Sequence, residues 1–126
     1  MPLIYSDSEE VLMEKLKNVD GVLYPGGGGD YIEMGRTVLD FAKKMNDDGH
    51  FFPVWGTCLG FQRLVMYTAD MGEKAISEIG AHHISLPIEF TVDPEQTKMF
   101  GDLGKSAWEF EKNNFTYNSH TYGIHP

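Results

Sequence analysis

Apolar residues in the first half of the chain form short unbroken runs that alternate with stretches of helical spacing. The unbroken runs are typical of strands buried on both faces of a sheet, and they lie at residues 1–5, 21–24 and 51–55. The stretches with apolar residues three and four positions apart predict amphipathic helices at residues 11–16, 31–45 and 59–71. This alternation predicts an α/β fold with a mostly parallel sheet flanked by helices.

The second half of the chain has a different pattern. Residues 84–92 alternate between apolar and polar side chains, which predicts a strand with one face in solvent. Residues 96–100 predict one helical turn, and no internal repeat or low-complexity linker separates the two halves. A length of 126 residues accommodates one domain, so we assign residues 1–126 to a single domain.

The charge balance and the apolar runs narrow the classes of partner. Ten Lys and Arg residues against nineteen Asp and Glu residues give a net charge of −9, which argues against nucleic acid or an anionic membrane as the partner. No apolar run approaches the ~18 residues of a membrane span, and the first twenty residues carry no signal-peptide pattern. A single cysteine excludes an internal disulfide and a thiolate-rich zinc site.

That cysteine lies where the third predicted strand meets the helix that follows it. Gly56, Cys58 and Gly60 form the pattern Gly-x-Cys-x-Gly, which is typical of a nucleophile elbow. In such a turn the glycines let neighbouring backbone approach closely, and the helix N-terminus stabilises a thiolate. The N–H group of Leu59 would then face a developing oxyanion. The alternative is a tight turn in which Cys58 only packs.

A glycine-rich segment at residues 25–30 follows the second predicted strand. Because parallel strands end at one edge of a sheet, this segment is expected beside Cys58, at the edge where ligands bind. Its backbone N–H groups could supply a further oxyanion donor. The segment lacks the Gly-Lys-Ser/Thr ending of a P-loop, so phosphate binding is not expected.

Four segments together resemble the γ-glutamyl hydrolases, a family of the class I glutamine-amidotransferase-like superfamily. They are DGVLYPGG (20–27), FPVWGTCLGF (52–61), LPIEFT (86–91) and NSHTYGI (118–124). The resemblance covers nearly the whole chain and implies a flavodoxin-like three-layer fold. It also implies a cysteine-dependent omega peptidase that hydrolyses γ-glutamyl bonds of folate poly-γ-glutamates, without a metal or organic cofactor.

The resemblance assigns roles to residues of the two glycine-rich turns. Cys58 matches the nucleophile of the family. Gly26 and Gly27, together with Leu59, match positions that bind the oxyanion and the substrate.

Three further residues are matched in the same way. His120 matches a family histidine close to the substrate, and Tyr122 matches its aromatic neighbour. Gln62 departs from the glutamate expected in these hydrolases and agrees with the Gly-x-Cys-x-Gly-x-Gln pattern of glutamine amidotransferases, in which this glutamine contacts substrate. The departure keeps a glutaminase-type module open as an alternative.

The resemblance does not extend to either end of the family's domain. The fold is therefore expected to be incomplete at each end. The family places a strand before Met1, and its general-base histidine lies in a His-Pro-Glu setting well beyond His120. His125 imitates that setting but comes too early and lacks the glutamate. Since a thiol without a base is a weak nucleophile, a catalytically inactive domain with a binding or structural role is a second alternative.

The resemblance also bears on partners and location. It implies a small-molecule γ-glutamyl substrate, permits a homodimer, and implies a lysosomal, vacuolar or secreted setting. In such a setting the triplet that begins at Asn114 would be a glycosylation site. A metal site at His82 and His83 is not expected, because adjacent strand residues face opposite ways.

Overall fold

The computed structural model describes residues 2–3, 6–29 and 31–124. The α-helices and strands are α1 (Glu9–Leu16), β1 (Val22–Tyr24), α2 (Ile32–Asp47), β2 (Val54–Gly56), α3 (Leu59–Ala69), β3 (Ile76–Leu86), α4 (Glu109–Lys112) and β4 (Thr116–Ile124). Short 3₁₀ helices lie at Gly72–Ala75, Pro94–Gln96 and Gly101–Trp108. In the described part of the chain, no helix has the length and apolar character needed to cross a membrane.

The chain divides into two compact units. The first unit holds the described residues up to Ser77 together with Ile124, and the second unit is Glu78–Gly123. The structure confirms a mixed α/β composition. β1 and β2 form a parallel pair, whereas β3 and β4 form an antiparallel pair, so a mostly parallel sheet is not formed by the described residues.

The first unit is built on the parallel pair, in which Val22 lies opposite Val54 and Tyr24 lies opposite Gly56. Helices α1, α2 and α3 contribute the buried side chains around this pair. The buried cluster consists of Leu12, Leu16, Tyr24, Val38, Leu39 and Tyr67. The helical spacings recognised in the sequence therefore mark faces that are buried in this unit.

Local hydrogen bonds explain where these elements begin and end. The Ser8 side chain accepts from the Val11 N–H group at 3.3 Å and caps α1. Near the end of α2, the amide of Asn46 donates to the Phe52 carbonyl at 2.8 Å and accepts from the Phe52 N–H group at 3.1 Å. Because a side chain occupies the backbone of Phe52, the strand predicted at residues 51–55 begins only at Val54.

The second unit contains the β3–β4 ribbon and a group of aromatic rings. The rings pack edge-on, with centroids 5.1 to 6.0 Å apart in the pairs of Phe90, Phe100, Trp108, Phe110 and Phe115. The indole Nε1 of Trp108 donates to Glu95 at 3.0 Å, which satisfies its polar group.

Two sequence predictions concern this region. Residues 84–86 of the strand predicted at 84–92 lie in β3, whereas residues 87–92 are not in a strand. Pro87 has no N–H group to donate, and the Phe90 N–H group donates to a Glu111 side-chain oxygen at 2.8 Å. The helical turn predicted at 96–100 begins at Gln96, the last residue of a 3₁₀ helix, and the Gly101 N–H group donates to the Thr97 carbonyl at 2.8 Å, as in one turn of α-helix.

The strand predicted at residues 1–5 falls mostly outside the described residues. Pro2 and Leu3 are described and are not in a strand. His125, which imitates the family's His-Pro-Glu setting, also lies outside the described residues.

Candidate active site

Cys58 lies in the two-residue turn between β2 and α3 and is the N-cap residue of α3. Its backbone has φ 51° and ψ −113°, a positive φ that residues with a side chain seldom adopt. Such strain is concentrated at functional sites, and a strained turn from strand to helix presents a nucleophile in enzymes with an elbow. The side chain is exposed, so a substrate can reach the thiol.

Close backbone contacts hold this turn in place. The Thr57 N–H group donates to the Tyr24 carbonyl at 3.0 Å, which joins the turn to the end of β1. A Cβ atom on Gly60 would collide with that same carbonyl, and one on Gly56 would lie 2.8 Å from the Phe61 nitrogen. Only glycine fits at these two positions. Steric hindrance therefore explains why glycines flank the cysteine in the sequence pattern.

The glycine-rich segment borders the cysteine, at the edge of the sheet expected from the sequence. A Cβ atom on Gly26 would lie 3.1 Å from the Cys58 Cβ and 3.9 Å from its Sγ. Gly27 has φ 108°, a conformation that favours glycine. Asp30, at the end of the segment, lies outside the described residues.

The first turn of α3 contributes the remaining matched residues of this unit. Leu59 is the first residue of α3, so its N–H group has no acceptor within the helix. Gln62 follows one turn later, where its N–H group donates to the Cys58 carbonyl at 3.0 Å and its side chain is buried. The turn therefore combines an accessible thiol with an N–H group at a helix N-terminus, a combination that suits attack on a carbonyl.

Tyr31 is a neighbour of this site that sequence reasoning treated only as part of a helix. Its hydroxyl donates to the Pro25 carbonyl at 3.4 Å, within the glycine-rich segment. Burial raises the pKa of Tyr31, while the charge of Arg63 lowers it and that of Cys58 raises it further. The only sign of this contact in the sequence was the position of Tyr31 directly after the glycine-rich segment.

His120 and Tyr122 lie together on β4, in the second unit. The His120 Nδ1 is 2.8 Å from the Tyr122 carbonyl oxygen, and its Nε2 is 3.2 Å from Asn118 Oδ1. The structure thus gathers Cys58 and its neighbours in one unit and the His120 pair in the other, and the assigned roles of all these residues stay predictions.

Other candidate residues have structural surroundings of their own. His83 has φ 52° inside β3, and its Nδ1 is 2.7 Å from the hydroxyl of Tyr117 on β4. Among the described residues, no group of three or more His, Cys, Asp or Glu side chains could hold a metal ion. Asn114 is exposed, as a glycosylated side chain must be.

A cavity of about 1020 Å³ lies along β1 in the first unit. Its lining is mainly apolar and includes Leu3, Val22, Met34 and Val38, whereas Cys58 is not part of it. The lining also includes Pro25 and Gly29, so the cavity adjoins the glycine-rich segment that borders Cys58.

Comparison with known proteins gives a consistent result. No protein-family model matches the chain. The chain is 46% identical to Gamma-glutamyl hydrolase 1 of Arabidopsis thaliana over 132 residues, which is all of this chain and 37% of that protein. It is 33% identical to Gamma-glutamyl hydrolase of Homo sapiens over 122 residues (81% of this chain, 38% of that protein). It is 28% identical to Gamma-glutamyl hydrolase B of Dictyostelium discoideum over 133 residues (all of this chain, 38% of that protein).

The three matches cover a similar share of each relative's length. The chain spans a little over a third of the length of these three relatives. Their shared name agrees with the resemblance carried by the motif around Cys58. By sequence, the chain is a homologue of the gamma-glutamyl hydrolases over a segment of their length.

Proposed function

We propose that this chain carries the cysteine nucleophile of a γ-glutamyl hydrolase that acts on folate poly-γ-glutamates. One observation carries the proposal: the positive φ of Cys58 in a strand-to-helix turn, with Gly26 against its Cβ. That geometry presents a thiol beside backbone N–H donors, as an acyl-transfer reaction requires. The names of the relatives supply the substrate bond.

In the proposed reaction, the Cys58 thiolate attacks the γ-carbonyl carbon and forms a C–S bond. The N–H groups of Leu59 and Gly27 hold the oxyanion, and its collapse breaks the C–N bond while a histidine protonates the leaving amine. Water then adds to the thioester, gives a proton back to the histidine, and releases the γ-carboxylate and the thiol. No metal or organic cofactor takes part in these steps.

The proposed reaction assigns separate roles to a substrate-contacting histidine and a general base. His120 is proposed to contact the glutamyl substrate, with Tyr122 beside it, because the segment that contains them matches the family. The general base is proposed to belong to a part of the relatives' length that this chain does not span. The 126-residue chain alone is therefore expected to be a slow or inactive hydrolase.

For a protein of the relatives' length we propose the mostly parallel, three-layer sheet of the amidotransferase-like superfamily. The parallel β1–β2 pair joined through α2 supports this arrangement. The apolar cavity of about 1020 Å³ along β1 supports it as well, since it offers room for further packed elements. A lysosomal, vacuolar or secreted location, a homodimer and glycosylation at Asn114 are proposed with it on the resemblance alone.

A glutaminase-type amidotransferase is the second candidate function, and Gln62 favours it. This side chain is buried one turn after Cys58, the position of the substrate-contacting glutamine in those enzymes. Assays of glutamine and of a γ-glutamyl peptide on the same sample separate the two functions. Hydrolysis of the peptide at the higher kcat/KM supports the hydrolase, and preference for glutamine supports the alternative.

The central experiment replaces the nucleophile in a protein of the relatives' length that contains this chain. Cys58→Ser should abolish turnover of a γ-glutamyl peptide, because a serine hydroxyl ionises far less readily than a thiol. Thr68→Ser, near the other end of α3, is the matched control and should retain turnover. Turnover that survives Cys58→Ser would contradict Cys58 as the nucleophile, and absence of turnover in the unchanged protein would favour the inactive-domain alternative.

A further inference from the structure

The whole chain has two arginines, and both line one small cavity in the first unit. The cavity has a volume of about 90 Å³ and lies between the first turns of α2 and the middle of α3. Arg36 comes from α2 and Arg63 from α3, and Glu73 borders the same space. Two permanent positive charges that converge on one cavity in a chain of net charge −9 call for a physical reason.

Arg63 has a buried N–H group that lacks an acceptor. Its Nε is buried without a hydrogen-bond partner in the described part of the chain. Its Nη1 is 3.6 Å from the Met66 sulfur, which is a weak acceptor. A buried donor on a charged group is costly to leave unpaired, and an anion would satisfy both the charge and the N–H group.

Arg36 retains donors of its own. Its guanidinium stacks over the Tyr67 ring at 5.6 Å and donates to Asp70 at 3.0 Å. The Asp70 side chain is 87% exposed, so this ion pair is weak and uses one of the five N–H groups. No ion pair joins Glu73 to either arginine among the residues described.

A short series of contacts links the cavity to the thiol. Tyr67, which lines the cavity, donates from its hydroxyl to the Tyr31 carbonyl at 3.5 Å. The Tyr31 hydroxyl donates to the carbonyl of Pro25, and Pro25 precedes the glycine that lies against Cys58. The charges of Arg63 and Cys58 both act on the pKa of Tyr31, so both groups lie near its hydroxyl.

We propose that the Arg36–Arg63 cavity binds a carboxylate of the substrate, next to the glutamyl residue that Cys58 attacks. The ligand class is an acidic γ-linked peptide, since every residue of a γ-glutamyl chain carries a free α-carboxylate. About 90 Å³ exceeds the space of one water and admits a carboxylate group. This inference rests on the proposed function, and it adds a specificity site outside the reacting bond.

The test measures binding of tri-γ-glutamate to the 126-residue chain with Cys58→Ala, by calorimetry. Arg63→Gln and Arg36→Gln should each weaken binding about tenfold or more, because a charge-assisted carboxylate contact is lost. Lys43→Gln removes the same charge from an exposed position two turns further along α2, and should change binding by less than about twofold. Glu73→Gln should tighten binding, because it removes a negative charge from the cavity.

A second ligand and further variants test whether binding depends on the carboxylates and on the arginines. Tri-γ-glutamate with its α-carboxylates amidated should bind weakly and equally to the unchanged chain and to Arg63→Gln. If Arg63→Gln fails to fold, Arg36→Gln decides the result in the same assay, and Arg63→Lys, which keeps the charge, should retain binding. No measurable binding of tri-γ-glutamate, or binding that neither arginine affects, overturns the inference. Its failure is distinct from failure of the proposed function, which is scored by the turnover lost on Cys58→Ser.

Discussion

The two units of the chain are stabilised in different ways. In the first unit, aliphatic side chains such as Leu16 and Val38 are almost fully buried, with 0% and 2% of their surface exposed. In the second unit, the fully buried side chains among the described residues are small, Pro94 and Ala107, and the aromatic rings around them are partly exposed. The strained turn at Cys58 belongs to the unit with the better buried core.

This difference has a physical reason for a candidate nucleophile. A positive φ at a cysteine costs about 1–3 kcal/mol and persists only where the surrounding structure over-determines it. The first unit supplies that support through the contact of Gly60 with the Tyr24 carbonyl and the hydrogen bond of Thr57. His120, by contrast, is oriented by neighbours within its own strand, Tyr122 and Asn118.

The largest expected effect comes from Gly60→Ala. The added Cβ would collide with the backbone carbonyl of Tyr24, so the first unit should lose about 3 kcal/mol of stability. Urea unfolding gives the total loss, and hydrogen exchange of the α2 amides assigns it to the first unit. Gly28→Ala is the control, since a Cβ there meets nothing within 4 Å, and equal losses for both variants would contradict the close contact.

Phe100→Ala tests the second unit in the same way. Phe100 packs edge-on against Phe90 and Phe110, with centroids 5.1 and 5.6 Å away. Because the ring is only partly buried, we expect a loss of about 2 kcal/mol, less than a fully buried phenylalanine would give. The rate of amide hydrogen exchange should rise in β4 and stay unchanged in α2. Val92→Ala, at a position 63% exposed, should cost less than about 0.5 kcal/mol.

Sequence reasoning succeeded mainly where the first unit's core is dense. The spacing of apolar residues at 31–45 predicted α2, which the structure confirms as Ile32–Asp47. The pattern Gly-x-Cys-x-Gly placed Cys58 between strand and helix, as observed. Both signals are local, and burial in this unit made them strong.

The second unit was harder to predict because its strands lack such strong local signals. β3 begins at Ile76, eight residues before the predicted strand, and it carries Gly80 and the positive φ of His83, which obscure an alternating pattern. β4 is mostly polar, so it had no apolar signal. The neighbours of the candidate site were missed too, because the contact of Tyr31 with Pro25 depends on how α2 packs and not on a motif.

Tyr24→Phe tests how the stability of the first unit depends on alkaline pH. The Tyr24 hydroxyl donates to the Gly35 carbonyl at 2.7 Å in the core, so its loss should cost about 1 kcal/mol at neutral pH. Burial, with the nearby Tyr67, Tyr31 and Asp40, raises the pKa of Tyr24 well above its usual value.

The sign of the pH effect follows from linkage. Above a pH of about 10 the unfolded chain releases the Tyr24 proton while the folded chain keeps it, so this contribution to stability falls as pH rises. Urea midpoints between pH 8 and pH 11 should therefore fall less steeply in Tyr24→Phe than in the unchanged chain. Slopes that do not differ would show that the hydroxyl is not buried as described.

The smallest expected effect belongs to Glu109→Gln on the surface of the second unit. A hydrogen bond from Lys112 at 2.8 Å, with its charge and a further bond from Asn113, holds the pKa of Glu109 below its usual value. A lowered pKa in the folded state gives stability that is present above the unfolded pKa of about 4.5 and is lost as pH falls through the folded value. Glu109→Gln should thus speed hydrogen exchange of the α4 amides slightly at pH 7 and not at pH 3, and 1 M salt should remove the difference.

Asp102→Asn leaves the Glu109–Lys112 pair intact and serves as the control. An equal effect of Glu109→Gln at both pH values would mean that the side chain acts through packing, and the surface of the second unit would then contribute more to its stability than its exposed charges allow.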